Sequence, residues 1–197
     1  MLSASCDYQT TRAALVRLAV PALADYCALD IVEGEDSFER IGEAHVDPTK
    51  SMLLREVATF PRSALTAMHP LIRVMATGQP VLEADITPAF IRASFAEPAQ
   101  RRVVEALGPR SLICVPLVNT GKPLGALTLV TSGSGRRYDA ADLSLAADVA
   151  RRAAIVVEHA RLFHQAGQAT RARDDILAGV AHDLRTPLNP VTMAVGL

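Results

Sequence analysis

Three side chains near the C-terminal end of the chain could carry out chemistry together: His182, Asp183 and Thr186. A neutral imidazole is a competent nucleophile near pH 7, because its usual pKa of about 6.5 leaves a lone pair available. The neighbouring carboxylate of Asp183 can fix the imidazole tautomer and accept the proton released on attack. On a helix, Thr186 lies one turn beyond His182 on nearly the same face, where its hydroxyl can hold a water molecule. The alternative interpretation is an ordinary surface histidine at a helix end.

A long helical pattern that begins at Ala140 would position these residues. Apolar or small residues recur at alternating intervals of three and four, as in a coiled-coil heptad, and a polar segment at 168–175 interrupts them. In this register His182 falls just outside the apolar seam and faces solvent. The pattern predicts pairing with a second copy in a parallel homodimer through residues 146–188; the alternative is a single helix lying on a sheet. The seam positions are 146, 149, 153, 156, 160, 163, 167, 177, 181, 184 and 188.

The residues before this helix alternate between strand and helix patterns. Asn119, Gly121 and Pro123 supply turn chemistry between two β-like runs, which predicts a hairpin. Asp139 and Asp142 are placed as the N-cap and first-turn acid of the long helix. The resulting fold class is α+β, an antiparallel sheet with flanking helices followed by a long C-terminal coiled-coil helix. Strands are predicted over 25–34, 37–47, 79–86, 111–119 and 125–132. Helices are predicted over 9–23, 50–60 and 69–78, and 88–109 stays ambiguous, with a helix predicted within it over 97–107.

Composition excludes several classes of protein. Half of the 197 residues are hydrophobic and 21% are charged, so the chain can bury a core. A net charge of −1 gives no support to nucleic-acid binding. The sequence has no signal peptide and no apolar run of the roughly 20 residues that span a bilayer. Three cysteines without C-x-x-C spacing indicate reduced thiols, so we predict a cytoplasmic location without a membrane segment in this chain.

Other candidate sites are weaker. His45 and His69 could each ligate a haem, but a core or solvated histidine is the favoured interpretation of both. His159 and His164 are five residues apart on the helix, which is poor geometry for one metal ion. Cys27 belongs to an apolar strand, where an inert core thiol is expected, and the same holds for Cys114. We therefore predict no metal site.

The C-terminal segment closely resembles the H-box of bacterial two-component sensor histidine kinases, in their dimerisation and phosphoacceptor domain. The resemblance is carried by the segment ILAGVAHDLRTPLNP, residues 176–190. It implies that His182 accepts the γ-phosphoryl group of ATP and passes it to an aspartate of a response-regulator receiver domain. It also implies that Asp183 is the acid/base partner, although glutamate is common at this position, and that Thr186 assists dephosphorylation. The matching residues are Leu177, Ala178, Val180, His182, Asp183, Leu184, Arg185, Thr186, Pro187 and Leu188.

The same family requires parts that this sequence does not contain. Its ATP-binding domain has an asparagine-containing box and glycine-rich segments, and the glycines at 132–137 lack the Lys-Ser/Thr ending of a P-loop. ATP and Mg²⁺ would therefore be bound by a separate ATP-binding kinase domain, and the chain alone should be inactive. We expect the sequence to be either a fragment or a truncated product.

Residues 10–165 resemble a GAF domain, a small-molecule sensor often placed before such kinases. The resemblance rests on the hairpin at 111–129, the helix-to-strand step ATGQPVLEAD at 76–85, and an exit helix from about 140. It implies an antiparallel sheet with helices on one face and a ligand pocket on the other. The ligand stays unknown, because the cyclic-nucleotide signature is absent and Cys114 lacks the following histidine of bilin-binding domains.

These features predict three parts: an N-terminal tail at 1–9, the GAF-like sensor at 10–165, and the start of a phosphoacceptor helix at 166–197. The leading hypothesis is the sensory and phosphoacceptor portion of a histidine kinase. The alternative is a non-enzymatic, ligand-binding GAF dimer or adaptor in which the H-box is vestigial. A hydrolase is disfavoured, since no serine or cysteine nucleophile stands at a recognisable spacing.

Overall fold

The computed structural model describes residues 16, 19–33, 37–119, 121–159 and 162. Within them, five strands form one antiparallel sheet in the order β2-β1-β5-β4-β3. The strands are β1 (Tyr26–Glu33), β2 (Ser37–His45), β3 (Val81–Glu83), β4 (Ser111–Leu117) and β5 (Gly125–Thr131). The predicted strands and the hairpin of β4 and β5 are confirmed.

Four helices lie between β2 and β4 in the chain, and a fifth follows β5. Proline occupies the first turn of α2, α3 and α4, where its missing N–H costs nothing. Gly78 ends α2 in the left-handed conformation at φ 66°, as the sequence predicted. The helix α3 covers part of the ambiguous segment. The helices are α1 (Ser51–Ala58), α2 (Pro70–Thr77), α3 (Pro88–Ser94), α4 (Pro98–Leu107) and α5, which is described over 140–159 and at 162.

Helices cover both faces of the sheet, which corrects the expectation of helices on one face. Alternate residues of a strand point to opposite faces. Cys27, Leu29 and Ile31 of β1 therefore pack in one core with α5, while Tyr26 and Ala28 face the layer formed by α1–α4. The predicted pocket lies under α1–α4, on the face opposite α5.

The start of α5 follows its predicted capping pattern. The Asp139 carboxylate accepts hydrogen bonds from the backbone N–H groups of Ala141 (2.8 Å) and Asp142 (3.0 Å). In return, the Asp142 carboxylate accepts from the Asp139 N–H at 3.1 Å. This reciprocal arrangement satisfies helix N–H groups that have no partner within the helix, and both predicted roles are confirmed.

The first part of the predicted coiled-coil seam packs within the chain. Ala146 and Ala153 are buried against the sheet together with Ala150, Ala154 and Val157, which are not seam positions. Small side chains let the helix backbone approach the strands closely, so the apolar spacing here serves the domain's own core. For positions 146–153 the predicted homodimer seam is therefore wrong, and the alternative of a helix lying on a sheet is correct. Val156 is 40% exposed.

Several predictions fall outside the described residues. These are the tail at 1–9, the remaining seam at 160–188, and the segment 166–197 with His182, Asp183 and Thr186. The chain divides into two compact units, Met1–Glu158 and His159–Leu197, and the sheet belongs to the first. In the described part of the chain, no helix combines the length and hydrophobicity needed to cross a bilayer.

Candidate functional site

A cavity of about 90 Å³ lies between the sheet and the layer of α1–α4. Each helix contributes an apolar side chain to its wall: Leu54 from α1, Leu71 from α2, Ile91 from α3 and Leu107 from α4. A second cavity of about 60 Å³ adjoins it, because the two share several lining residues. Concave, mostly apolar spaces with a few polar groups are the usual form of small-molecule sites. The polar residues that line the larger cavity include Asp30, Arg40, His69, Ser94 and Thr128.

A bidentate ion pair between Asp30 and Arg40 forms the polar side of the cavity. Arg40 Nε lies 2.6 Å from Asp30 Oδ1, and Arg40 Nη2 lies 3.1 Å from Oδ2. The two side chains are 6% and 17% exposed, so this is a largely buried pair. Parallel N–H···O bonds of this kind fix the guanidinium geometrically as well as electrostatically.

A β-bulge in β2 brings this pair together. Leu29 pairs with Gly42, but the next residue, Asp30, pairs with Arg40, so Ile41 is the extra residue. Ile41 joins the core on the α5 side, and Arg40 reaches the cavity side opposite Asp30. Bulges commonly redirect a side chain in this way beside functional sites.

Two further charged residues, Glu43 and Arg55, lie next to the ion pair. Arg40 Nη1 lies 3.7 Å from Glu43 Oε2, and Arg55 Nε lies 3.8 Å from Glu43 Oε1. Burial disfavours a charged guanidinium, but Asp30 and Glu43 outweigh it and raise the pKa of Arg40. Burial raises the pKa of Glu43, and the two arginines offset part of that rise. Positive and negative groups alternate, so their charges compensate one another.

His69 is an uncharged, structural histidine at the cavity wall. Its Nδ1 accepts a hydrogen bond from the Leu71 N–H at 3.2 Å and so caps α2, which leaves the proton on Nε2. Its ring packs edge-on against Phe95, with 4.9 Å between ring centroids. Burial, with a contribution from the Arg40 charge, lowers the pKa of His69 to about 3. The favoured interpretation of a core histidine therefore agrees with these contacts.

The other candidate residues also have structural roles. His45 stacks on Tyr26 with 5.2 Å between ring centroids, and its Nδ1 accepts from the Asp47 N–H at 2.8 Å. Cys27 and Cys114 are fully buried, which confirms the prediction of core residues, and burial raises the pKa of both thiols to about 12. No cluster of three His, Cys, Asp or Glu side chains suited to a metal ion occurs among the described residues.

The half-buried His69 imidazole makes stability depend on pH. The pKa of His69 is about 3 in the folded protein and about 6.5 in an unfolded chain, so below pH 6.5 the unfolded state binds more protons. This contribution to stability is complete above pH 6.5 and declines as the pH falls towards 3. Between pH 7 and pH 5, we expect the free energy of unfolding to fall by up to about 2 kcal/mol more in the wild type than in His69→Asn.

Asparagine is the matched replacement because it caps helices well but does not titrate. Urea unfolding at pH 7, 6 and 5 measures the difference. His45→Asn serves as the comparison, since burial lowers the pKa of His45 as well but its ring lies outside the cavity. Parallel pH profiles for the wild type and His69→Asn would show that His69 is solvated.

A protein-family model described as a GAF domain matches residues 7–157. The chain belongs to the GAF family. The predicted resemblance to a GAF domain is thus confirmed for residues 7–157. The cavity described above lies within this domain. No curated protein matches the chain.

Solved structures of GAF domains share the fold. The GAF domain/HD domain protein from Geobacter sulfurreducens matches with a TM-score of 0.57 and 17% identity, covering 79% of this chain and 93% of that chain. The GAF-B domain of DevS from Mycobacterium smegmatis matches with a TM-score of 0.55 and 16% identity, covering 80% and 98%. A domain of a putative two-component sensor histidine kinase protein from Sinorhizobium meliloti 1021 matches with a TM-score of 0.53 and 13% identity, covering 79% and 93%. Identities this low establish the fold alone.

Apart from His69, which was a weaker candidate, the polar residues of this GAF-domain cavity were not singled out as site residues in the sequence. The predicted site residues were His182, Asp183 and Thr186, which lie outside the described residues and stay predictions. One signal was available for Asp30, because a charge in an otherwise buried strand needs a partner. No comparable signal marked Ser94, whose importance depends on the packing around it.

Proposed function

We propose that this GAF domain is the sensory portion of a two-component sensor histidine kinase and that His182 is the phosphoacceptor. The observation that carries the proposal is the order of two features in one chain, a GAF domain at 7–157 and the segment ILAGVAHDLRTPLNP at 176–190. The fold is shared with a domain of a putative two-component sensor histidine kinase, so it is used in proteins of that class.

The proposed chemistry is phosphoryl transfer to an imidazole. A ring nitrogen of His182 attacks the γ-phosphorus of ATP, the bond to the bridging oxygen breaks, and ADP leaves. Asp183 accepts the proton that the other ring nitrogen releases. The phosphoryl group then passes to an aspartate of a response-regulator receiver domain, and Thr186 positions water for dephosphorylation. ATP and Mg²⁺ bind to an ATP-binding kinase domain outside residues 1–197.

Two contacts support transmission from the cavity to the exit helix. Strand β1 contributes Ala28 and Asp30 to the cavity and Leu29 to the core that contains α5, so displacement of the strand affects both layers. In addition, the Asn119 amide donates a hydrogen bond to the Glu158 carboxylate, which joins the β4–β5 loop to α5. Packed elements with shared contacts are the physical means by which coupling between sites is carried.

The proposal includes a homodimer and a cytoplasmic location. Exposed apolar side chains of α5, Ile155 at 44% and Val156 at 40%, favour pairing along the side of the helix that does not pack on the sheet. A small molecule bound in the cavity is the proposed signal.

Phosphorylation in trans tests the proposal. The chain is incubated with radiolabelled ATP, Mg²⁺ and a separately expressed histidine-kinase ATP-binding domain that labels its own phosphoacceptor. We expect an acid-labile, alkali-stable phosphate that falls to background in His182→Gln and persists in His164→Gln. Labelling that survives in His182→Gln would contradict the assignment.

The second candidate is a non-enzymatic, ligand-binding GAF adaptor with a vestigial H-box. It is favoured by the described domain itself, whose five-stranded sheet and cavity are formed by described residues of Met1–Glu158. Ligand binding without any labelling of His182 would support this candidate.

A further inference from the structure

Ser94 is a buried hydroxyl without a hydrogen-bond partner in the described part of the chain. It is the last residue of α3, is 1% exposed, and lines the larger cavity. A serine at a helix end commonly bonds to the carbonyl oxygen four residues earlier, but Ser94 Oγ makes no such bond. Buried hydroxyls are normally paired, so this group calls for a partner that enters the cavity.

Arg40 lies on the same cavity and has one nitrogen without a hydrogen bond. Its Nε and Nη2 are engaged by Asp30, whereas Nη1 is ion-paired with Glu43 Oε2 at 3.7 Å, a distance too long for a hydrogen bond. Nη1 can only donate. A ligand atom that meets both Arg40 Nη1 and Ser94 is therefore an acceptor, most simply an oxygen.

The charges around the cavity disfavour an ionised ligand. Arg40 is already balanced by Asp30 and Glu43, and Glu43 is shared with Arg55. A carboxylate would enter beside Asp30 and Glu43, and an ammonium would enter beside Arg40. Transfer of either ion from water into this mostly apolar space carries a desolvation penalty without a free counter-ion.

Size limits the ligand further. The cavity measures about 90 Å³ and adjoins one of about 60 Å³. An apolar protein cavity of about 150 Å³ accommodates benzene. A single ring with small substituents is thus the scale of molecule that these walls can enclose.

We propose that the cavity binds a small, uncharged ring compound with one hydroxyl or carbonyl oxygen, held by Ser94 and Arg40 between apolar walls. This ligand class rests on the proposed function to the extent that the GAF domain acts as a small-molecule sensor.

The test uses four one-ring probes of similar size with the full chain: phenol, toluene, benzoate and benzylamine. Ligand-observed NMR titrations measure each Kd. We expect phenol to bind at least about fivefold to tenfold more tightly than toluene, because its oxygen can bond to Ser94 and Arg40 whereas toluene has no polar atom. Ser94→Ala should reduce that advantage and leave toluene binding unchanged. Because the hydroxyl is unpaired in the folded protein, the variant should unfold at the same temperature as the wild type. Ser63→Ala, at an exposed serine, is the matched control.

The outcomes distinguish failure of the proposed ligand class from failure of the proposed function. Tighter binding of benzoate or benzylamine than of phenol would overturn the uncharged class while leaving small-molecule sensing intact. An unchanged phenol Kd in Ser94→Ala would overturn the role of Ser94. Failure of all four probes at millimolar concentration would overturn the ligand class, with water as the partner of Ser94. The phosphoacceptor role of His182 is tested separately, by the labelling experiment described above.

Discussion

Replacing Asp30 with asparagine should lower the free energy of unfolding by about 3 kcal/mol. The variant keeps the shape of the side chain but leaves the Arg40 guanidinium largely buried without its main counter-ion. Removal of one partner from a buried ion pair is costly for this reason, whereas replacement of both partners by apolar residues is often tolerated. Asp30→Asn combined with Arg40→Met should therefore be more stable than Asp30→Asn alone. Denaturant unfolding of the wild type, both single variants and the double variant measures the coupling.

The pair Asp148 and Arg151 is the matched control. Its atoms lie 2.8 Å apart, but the side chains are 56% and 70% exposed, so Asp148→Asn should change stability by less than about 1 kcal/mol. Equal effects of Asp30→Asn and Asp148→Asn would show that the cavity pair is screened by solvent. Asp30→Asn also leaves a net positive cavity, so benzoate should bind this variant more tightly than the wild type.

Replacing Gly125 with alanine should destabilise the domain by at least about 3 kcal/mol, at the upper end of overpacking effects. Gly125 begins β5, and a Cβ atom there would clash with the backbone carbonyl oxygen of Asp30 and lie 2.8 Å from Ile31 Cα. Both neighbours are backbone atoms of β1, so they can move only if the strand moves. Because Asp30 is one of them, the substitution should also disturb the ion pair with Arg40.

Gly133→Ala provides the steric control, since a Cβ atom at this loop position meets nothing within 4 Å. We expect its stability to differ from the wild type by no more than about 0.5 kcal/mol. Urea midpoints compare the variants, and soluble yield together with far-UV circular dichroism is used if Gly125→Ala does not fold. Coincident midpoints for the two alanine variants would contradict the close approach of β5 to β1.

Most of the strands and helices could be predicted because the residues that begin and end them are close together in the sequence. Asn119, Gly121 and Pro123 indicated the turn of the β4–β5 hairpin, and Gly78 indicated the end of α2. The helix α3 was left ambiguous although a cap was present: Thr87 Oγ1 accepts from the Phe90 N–H at 3.2 Å, just before Pro88. Short helices give few turns over which a periodicity can be recognised.

The cavity could not be derived in this way, because it depends on tertiary register. The pairing of Asp30 with Arg40 requires the bulge at Ile41, and no property of either strand alone specifies where an extra residue falls. Similarly, the three-and-four spacing of Ala146 and Ala153 fits both a coiled-coil seam and the core-facing stripe of a surface helix. The neighbouring Ala150 and Ala154 widen that stripe, which is the feature that favours packing on the sheet.

The alternation of side chains along strand β1 has a consequence for the proposed sensor function. Residues 26, 28 and 30 meet the cavity, whereas 27, 29 and 31 meet the helix layer behind the sheet. Under the proposed function, substitutions at 26 and 28 would change ligand preference while 27, 29 and 31 keep their packing against α5. Ligand preference and contact with the exit helix would then be separable by mutation within a single eight-residue strand.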